Sequence, residues 1–258
     1  MLIAEPGRTP WDLRWTMFGI PVRVHPLFWL ISLMFGYQKN LDFSLVLISI
    51  ACVFVSILLH EFGHALAFRY YGVRRVHVVL YQLGGLAVPG SEPPSQWPWI
   101  WTLFWGPGAG FILGVPAMAA KIALEHGLFE VPVPVYYAIQ QLAWINIIWG
   151  LVNLLLPILP LDGGQIMREV VQWKAPQRGD FLALTISFYA GIVASLLAIA
   201  WFIYQKDPDF RGLFPAFLFG NLAYSSYAAR KQISEFGGFG DSQAPRQAWE
   251  QDPDWWKK

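Results

Sequence analysis

The chain has 258 residues, of which 55% are hydrophobic and 17% aromatic, with 14 tryptophans. Only 14% are charged, against roughly 25% in soluble domains; that is too little charge to coat a water-facing surface, and the apolar residues come in long runs. A formal net charge of +1 argues against a nucleic-acid binder, neither nucleic acid nor nucleotide is expected as a partner, and the single cysteine, Cys52, rules out an internal disulfide.

The first twenty residues carry Glu5, Arg8, Asp12 and Arg14 and no apolar core, so no cleavable signal peptide is expected. Runs of about 20 apolar residues mark membrane spans. By that criterion six are predicted, approximately at 25–38, 43–69, 98–120, 134–157, 180–204 and 210–229. The first is short, and Pro215 interrupts the last. The expectation is an all-α polytopic membrane protein whose transmembrane domain covers 1–231. A polar, mobile tail is expected over 232–258, where Trp249, Trp255 and Trp256 would rest at the membrane interface. Of the 18 Lys and Arg residues, only Lys39, Lys121, Lys206 and Arg211 fall on one side of this arrangement. The other side is rich in them, so both termini are expected in the cytoplasm.

The second span runs from Phe43 to Leu59 without a charge and then reads His60-Glu61-Phe62-Gly63-His64. Histidines at i and i+4 share one helix face, so both rings can reach one zinc ion. Glu61 is offset around the helix by one residue, where its carboxylate can take a proton from water and return it to a leaving amine. A charge inside a membrane helix costs about 2.5–3.5 kcal/mol or more and marks function by default. Three ionisable residues within five positions require a common purpose.

Beyond this helix, Val76–Pro89 is rich in β-branched residues and holds the pair Gly84-Gly85; it is expected to form a hairpin. An exposed edge there could add a substrate as a further strand. On the third span Gly106, Gly110 and Gly114 recur every four residues, a small-residue face suited to close helix packing.

A catalytic zinc takes three protein ligands and keeps one position open. Asp162 is the strongest candidate for the third. It follows Pro157 and Pro160 at the end of the fourth span and precedes Gly163-Gly164; an ordinary turn is the competing reading. Broken backbone at membrane depth is tolerated where it is buried or lines a cavity. The charge asymmetry brings the ends of the second and fourth spans to the same side. Glu169 and Asp180 lie there too, as weaker rivals, whereas Glu125, Glu130 and His126 fall opposite. His77 is expected to be structural and His25, beside Pro26, interfacial.

His60-Glu61-x-x-His64, followed about a hundred residues later by a run ending in Leu161-Asp162-Gly163-Gly164, resembles the site-2 protease family of intramembrane metalloproteases. Gly84-Gly85 looks like that family's membrane-associated β-hairpin, and Gly106-Pro107 like the Gly-Pro of its next helix. The resemblance covers roughly residues 20 to 170. It implies one Zn2+ per chain held by His60, His64 and Asp162, with Glu61 as general base. It also implies a transmembrane protein as substrate and a multi-pass location; the compact chain and its charge asymmetry make a bacterial inner membrane the expected setting. The family's asparagine, which meets the substrate or oxyanion, matches Asn153. The family reads Asn-x-x-Pro, however, and this chain Asn153-Leu-Leu-Leu-Pro157. One extra residue turns Asn153 by about 100° on an ideal helix; a bulge near the prolines would absorb it, and Asn146 is the alternative.

A catalytically silent relative that binds or chaperones membrane proteins is the main competing reading, and an intact Glu61 speaks against it. A metal transporter would show an internal repeat, and none is visible. A membrane zinc protease with a glutamate as third ligand is the nearest enzymatic rival.

Overall fold

Among the described residues the first regular elements are strands, not a helix. The computed structural model describes residues 6–36, 42–82, 84–91, 93, 95–205 and 210–236. Strands β1 (Leu13–Met17) and β2 (Ile20–Val24) pair antiparallel, with Leu13 opposite Val24 and Met17 opposite Ile20. Phe18 and Gly19 join them at φ 52° and 72°, the two left-handed positions that a tight hairpin turn of this twist requires. Arg69 donates to the Phe18 carbonyl at 2.6 Å, and the Phe18 ring meets Phe62 edge-on. Ahead of β1, the Asp12 carboxylate accepts from Thr9, Arg14 and Arg23. Burial raises the pKa of Asp12, but these donors outweigh it and bring the value to about 2.

Strand β3 (Val76–Tyr81) pairs parallel with β2, Val22 opposite Val78, and turns back antiparallel into β4 (Gly84–Pro89). The expected hairpin therefore forms, but as half of a four-stranded mixed sheet of order β1-β2-β3-β4, which corrects the expectation of helices with one isolated hairpin. The missed half, β1–β2, carried a readable signal: Leu13, Trp15 and Met17 alternate with polar neighbours, and Gly19 sits at the turn.

The parallel crossover is made by two helices, α1 (Pro26–Gly36) and α2 (Phe43–Tyr70). Next come α3 (Gln96–Glu125), with Pro107 and Pro116 inside it, and a 23-residue span over Val133–Leu155. That span consists of α4 (Val133–Ala143), a π-helical turn over Trp144–Trp149 and α5 (Gly150–Leu155). Helices α6 (Asp162–Lys174), α7 (Gly179–Tyr204) and α8 (Phe214–Phe236) follow.

Among the described residues four helical stretches are long and apolar enough to cross a bilayer: α2, α3, Val133–Leu155 and α7. Four of the six expected spans thus meet the criterion of length and composition. The 11 residues of α1 rise only about 16 Å, half of a hydrocarbon core of roughly 30 Å. Helix α8 has the length, but Asn221, Ser225, Ser226, Arg230 and Lys231 interrupt its apolar surface. The end of the expected first span, Lys39 and Lys206 of the charge count, and tail residues Trp249, Trp255 and Trp256 lie outside the described residues.

The chain divides into two compact units, one within Glu5–Val152 and one within Asn153–Lys258. In the first, the inner face of the sheet supplies Ile20, Val22, Val24, Val78 and Leu80 to a core shared with Phe62, Ala65 and Phe68 of α2. Each such side chain contributes about 1.5–3 kcal/mol on burial, so the sheet is fastened to the end of α2 that carries His60, Glu61 and His64. In the second unit α7 packs on α6 and α8. Gly191 of α7 admits Ala223 of α8, and the Ser187 and Ser226 hydroxyls share a hydrogen bond of 2.8 Å, the small and polar contacts that join helices within membranes.

Candidate metal centre

Helix α2 carries His60, Glu61 and His64 after four charge-free turns. The geometry of the histidine pair is specific. The two Nε2 atoms lie 3.0 Å apart. Two nitrogens bound at about 2.0–2.1 Å to one tetrahedral zinc would be roughly 3.3 Å apart, so the pair fits a shared ion with little adjustment. The proton of His64 is also fixed. Its Nδ1 lies 2.8 Å from the main-chain carbonyl of Thr102 on α3. A carbonyl only accepts, so Nδ1 carries the hydrogen and Nε2 presents a lone pair, the state a metal ligand needs. Both His64 and Glu61 are buried, and His60 is half-buried.

Two glycines make room for these side chains. A Cβ on Gly106 of α3 would collide with the His64 ring, and one on Gly85 of β4 would collide with the Glu61 carboxylate. Gly85 thus forms a floor under Glu61, which places the edge strand β4 beside the acid. Gly84, the other expected member of the pair, stands opposite Tyr81 in the turn, at φ 122°. Tyr81 is buried nearby. Burial first, and then the negative charge of Glu61, push its pKa to about 12, so it stays a neutral phenol at physiological pH.

The second half of the motif is built differently. Pro157 and Pro160 end the helix after Leu155, because a residue before proline is steered out of the helical region. The Leu159–Pro160 peptide is cis, and the Leu159 amide donates to the Ser187 hydroxyl at 2.8 Å. Asp162 then opens α6, buried, in the first turn where the helix dipole favours a carboxylate. Asn153 grips it from both sides: its amide donates to the Asp162 carboxylate at 2.6 Å, and its carbonyl accepts the Asp162 main-chain N–H at 3.3 Å. Gly163 and Gly164 leave no space for a Cβ against the backbone of residues 154–159.

Asn146 has another task. It sits in the π-helical turn, donating to Ser56 at 2.8 Å and to the Leu142 carbonyl at 2.9 Å, and packs against Gly110 and Gly114. A π-helical turn over Trp144–Trp149 precedes Asn153, and the helix that carries Asn153 ends at Leu155, before the prolines. His25 is buried; its Nδ1 accepts the Leu27 amide at 3.2 Å and so caps α1. His77 stands opposite Val88 within the sheet. Asp180 pairs with Arg168 at 2.8 Å, and Glu125 with Lys121 at 2.7 Å. Sequence reading missed Thr102, which acts through its carbonyl and so leaves no trace in residue identity, and Tyr81, one residue short of the turn before the glycine pair.

A profile of peptidase family M50 matches residues 48–132 and 130–198, more than half of the chain. A zinc metalloprotease of Methanocaldococcus jannaschii is 27% identical over 202 residues, and a Synechocystis protein assigned as a zinc metalloprotease is 31% identical over 173. The alignments cover 73% and 62% of this chain, and 57% and 43% of those relatives' own lengths. The solved site-2 protease from Methanocaldococcus jannaschii shares the fold, with a TM-score of 0.55 at 20% identity over 84% of this chain and 94% of that one. With its apolar spans, its HExxH helix and a family profile matched over more than half of its length, the chain belongs to peptidase family M50, the family of the site-2 protease.

Proposed function

We propose that this integral membrane protein is a zinc-dependent endopeptidase that hydrolyses peptide bonds of membrane-spanning proteins. The observation that carries the reading is the buried trio on α2: two Nε2 atoms 3.0 Å apart with a buried glutamate between them in the sequence. A membrane helix does not retain three such groups without use. His60 and His64 would hold one zinc ion, with Asp162 as third ligand. Asp162 is supported by its motif and by its burial at the start of α6.

Zinc, when bound, supplies Lewis acidity to a water and to the scissile carbonyl. Glu61 accepts the proton of the attacking water and delivers it to the leaving amine. Thr102, through its carbonyl, keeps the lone pair of His64 directed outward from the helix. Asn153 holds the Asp162 carboxylate in one orientation, and by family resemblance also meets the substrate. A substrate strand added along the open edge of β4, at Gly84 and Gly85, would run past Glu61 in the extended form that attack requires. In this reading α1 and α8 complete six membrane segments, and both chain ends stay on the Lys- and Arg-rich cytoplasmic side of a bacterial inner membrane.

The test is zinc content and cleavage of a transmembrane substrate by purified protein in detergent, wild type beside Glu61→Gln. The expected result is about one zinc in both proteins and cleavage by the wild type alone, with a loss of at least about 100-fold for Glu61→Gln. Zinc bound by neither protein would overturn the reading. Zinc in both with cleavage by neither, across several substrates, would favour a silent binding protein.

A further inference from the structure

The α7–α8 pair holds a feature that peptide hydrolysis does not use. On one side of these helices is an open groove of about 400 Å³ lined by Phe188, Ile192 and Leu196 of α7 and by Gly220, Tyr224 and Tyr227 of α8. Its lining is almost wholly apolar. Tyr224 is 69% exposed and Leu196 60%, so without lipid these side chains would face water.

At one end of the groove the chemistry changes. The guanidinium of Arg230 lies 5.3 Å from the centre of the Phe188 ring, 5.6 Å from Tyr227 and 5.9 Å from Phe181. Distances within about 6 Å are attractive cation–π contacts. Phe188 and Tyr227 belong both to this cluster and to the groove wall, so cation and groove form one continuous surface. The neighbouring charges place the cluster at a polar boundary. Arg168 and Asp180 pair beside the start of α7, and Lys231 pairs with Glu235 on α8. Beyond Asp180, helix α7 carries no further charge to its end at Tyr204. Aromatic rings and long cations at such a boundary occupy the headgroup level of a bilayer, with apolar side chains on the hydrocarbon side.

Stacking on rings also leaves a guanidinium fit for a particular partner. Contact with rings does not consume the N–H donors of a guanidinium, whose planar fork matches two phosphate oxygens. The groove descends from there. Tyr227 to Gly220 is seven residues, about 10 Å of helix, enough for the upper half of one acyl chain. We propose that this surface binds an anionic glycerophospholipid, with its phosphate on Arg230 and one acyl chain along the α7–α8 groove. A zwitterionic lipid would fit the groove equally well but would bring a competing cation to Arg230, so the discrimination lies in the headgroup. The proposal is independent of the hydrolytic reading.

The experiment titrates phosphatidylglycerol into the full chain in neutral detergent and counts bound lipid by native mass spectrometry, with phosphatidylcholine of the same chains as comparison. Arg230→Gln and Arg230→Lys are measured alongside the wild type, and thermal unfolding without added lipid shows that each variant is folded. Wild type should take up one phosphatidylglycerol at least about tenfold more tightly than phosphatidylcholine. Arg230→Gln should lose that preference, and Arg230→Lys should keep part of it, since lysine retains the charge without the fork. Water-soluble glycerol phosphate should not displace the lipid, because the groove supplies the rest of the affinity. Equal binding of the two lipids by wild type, an unchanged preference in folded Arg230→Gln, or displacement by glycerol phosphate would each overturn the proposal.

Discussion

The two halves of the motif orient their side chains by different means. On α2, His64 is fixed by a main-chain carbonyl, that of Thr102, and by the empty space at Gly106. At the start of α6, Asp162 is fixed by a side chain, the two-handed amide of Asn153. A main-chain partner survives substitution of its own residue, and a side-chain partner does not. The first half is therefore vulnerable mainly to added atoms, and the second also to their removal.

The largest effect should come from His64→Ala, which deletes a ligand and its whole orienting set. Zinc affinity should fall by more than about 100-fold, beyond the 10–100-fold typical of losing a supporting group; retention of stoichiometric zinc after dialysis against a chelator would remove α2 from the metal centre. Next, Gly85→Ala should leave zinc bound yet depress cleavage by about 100-fold, since a displacement near 1 Å at a reacting group can cost that much. Metal analysis beside kinetics reads both quantities on one sample. The comparison itself is sharpened by a pair of variants. Asn153→Ala should weaken zinc about 10–100-fold, whereas Thr102→Val, which keeps the carbonyl and removes a buried hydroxyl lacking a hydrogen-bond partner, should change it by less than about twofold. Equal losses in the two would mean that the asymmetry has no energetic content.

The smallest effect concerns pH. The Asp12 pKa is depressed to about 2 in the folded chain, below the unfolded value near 3.9. Its contribution is complete above the unfolded value and fades as pH falls from there towards 2. Asp12→Asn should lower stability by about 2 kcal/mol at neutral pH and flatten the acid limb of a denaturation series between about pH 4 and 2; an unchanged limb would show that the Thr9–Arg23 cluster does not contribute.

Much of the centre was legible because its signals are local. His60, Glu61 and His64 sit at helical spacing inside an apolar run, and proline and glycine surround Asp162. The expected glycine face of α3 is also present, with a division of labour that spacing does not reveal: Gly106 serves His64, while Gly110 and Gly114 serve Asn146. What stayed hidden depends on distant partners. Strands β1 and β2 are five residues each; their alternation is a weak signal beside the long apolar runs, and β2 pairs with both β1 and the distant β3. The two expected spans that fall short by length or composition are α1, with 11 described residues, and α8, apolar on average but punctuated by polar groups. The π-helical turn that holds Asn146 beside Gly110 and Gly114 leaves no residue of its own to mark it in the sequence.

The parallel pairing of β2 with β3 bears on how the protein is made. Val22 must wait for Val78, about 56 residues later, and synthesis at roughly 5–20 residues per second sets that interval at roughly 3 to 11 s. Throughout it the apolar strand Ile20–Val24 has β1 on one edge and nothing on the other, while α1 and α2 are threaded into the bilayer. Only when β3 and β4 emerge from the ribosome can Gly85 arrive under Glu61. A nascent chain therefore carries its histidines and its acid before it has the floor under the acid.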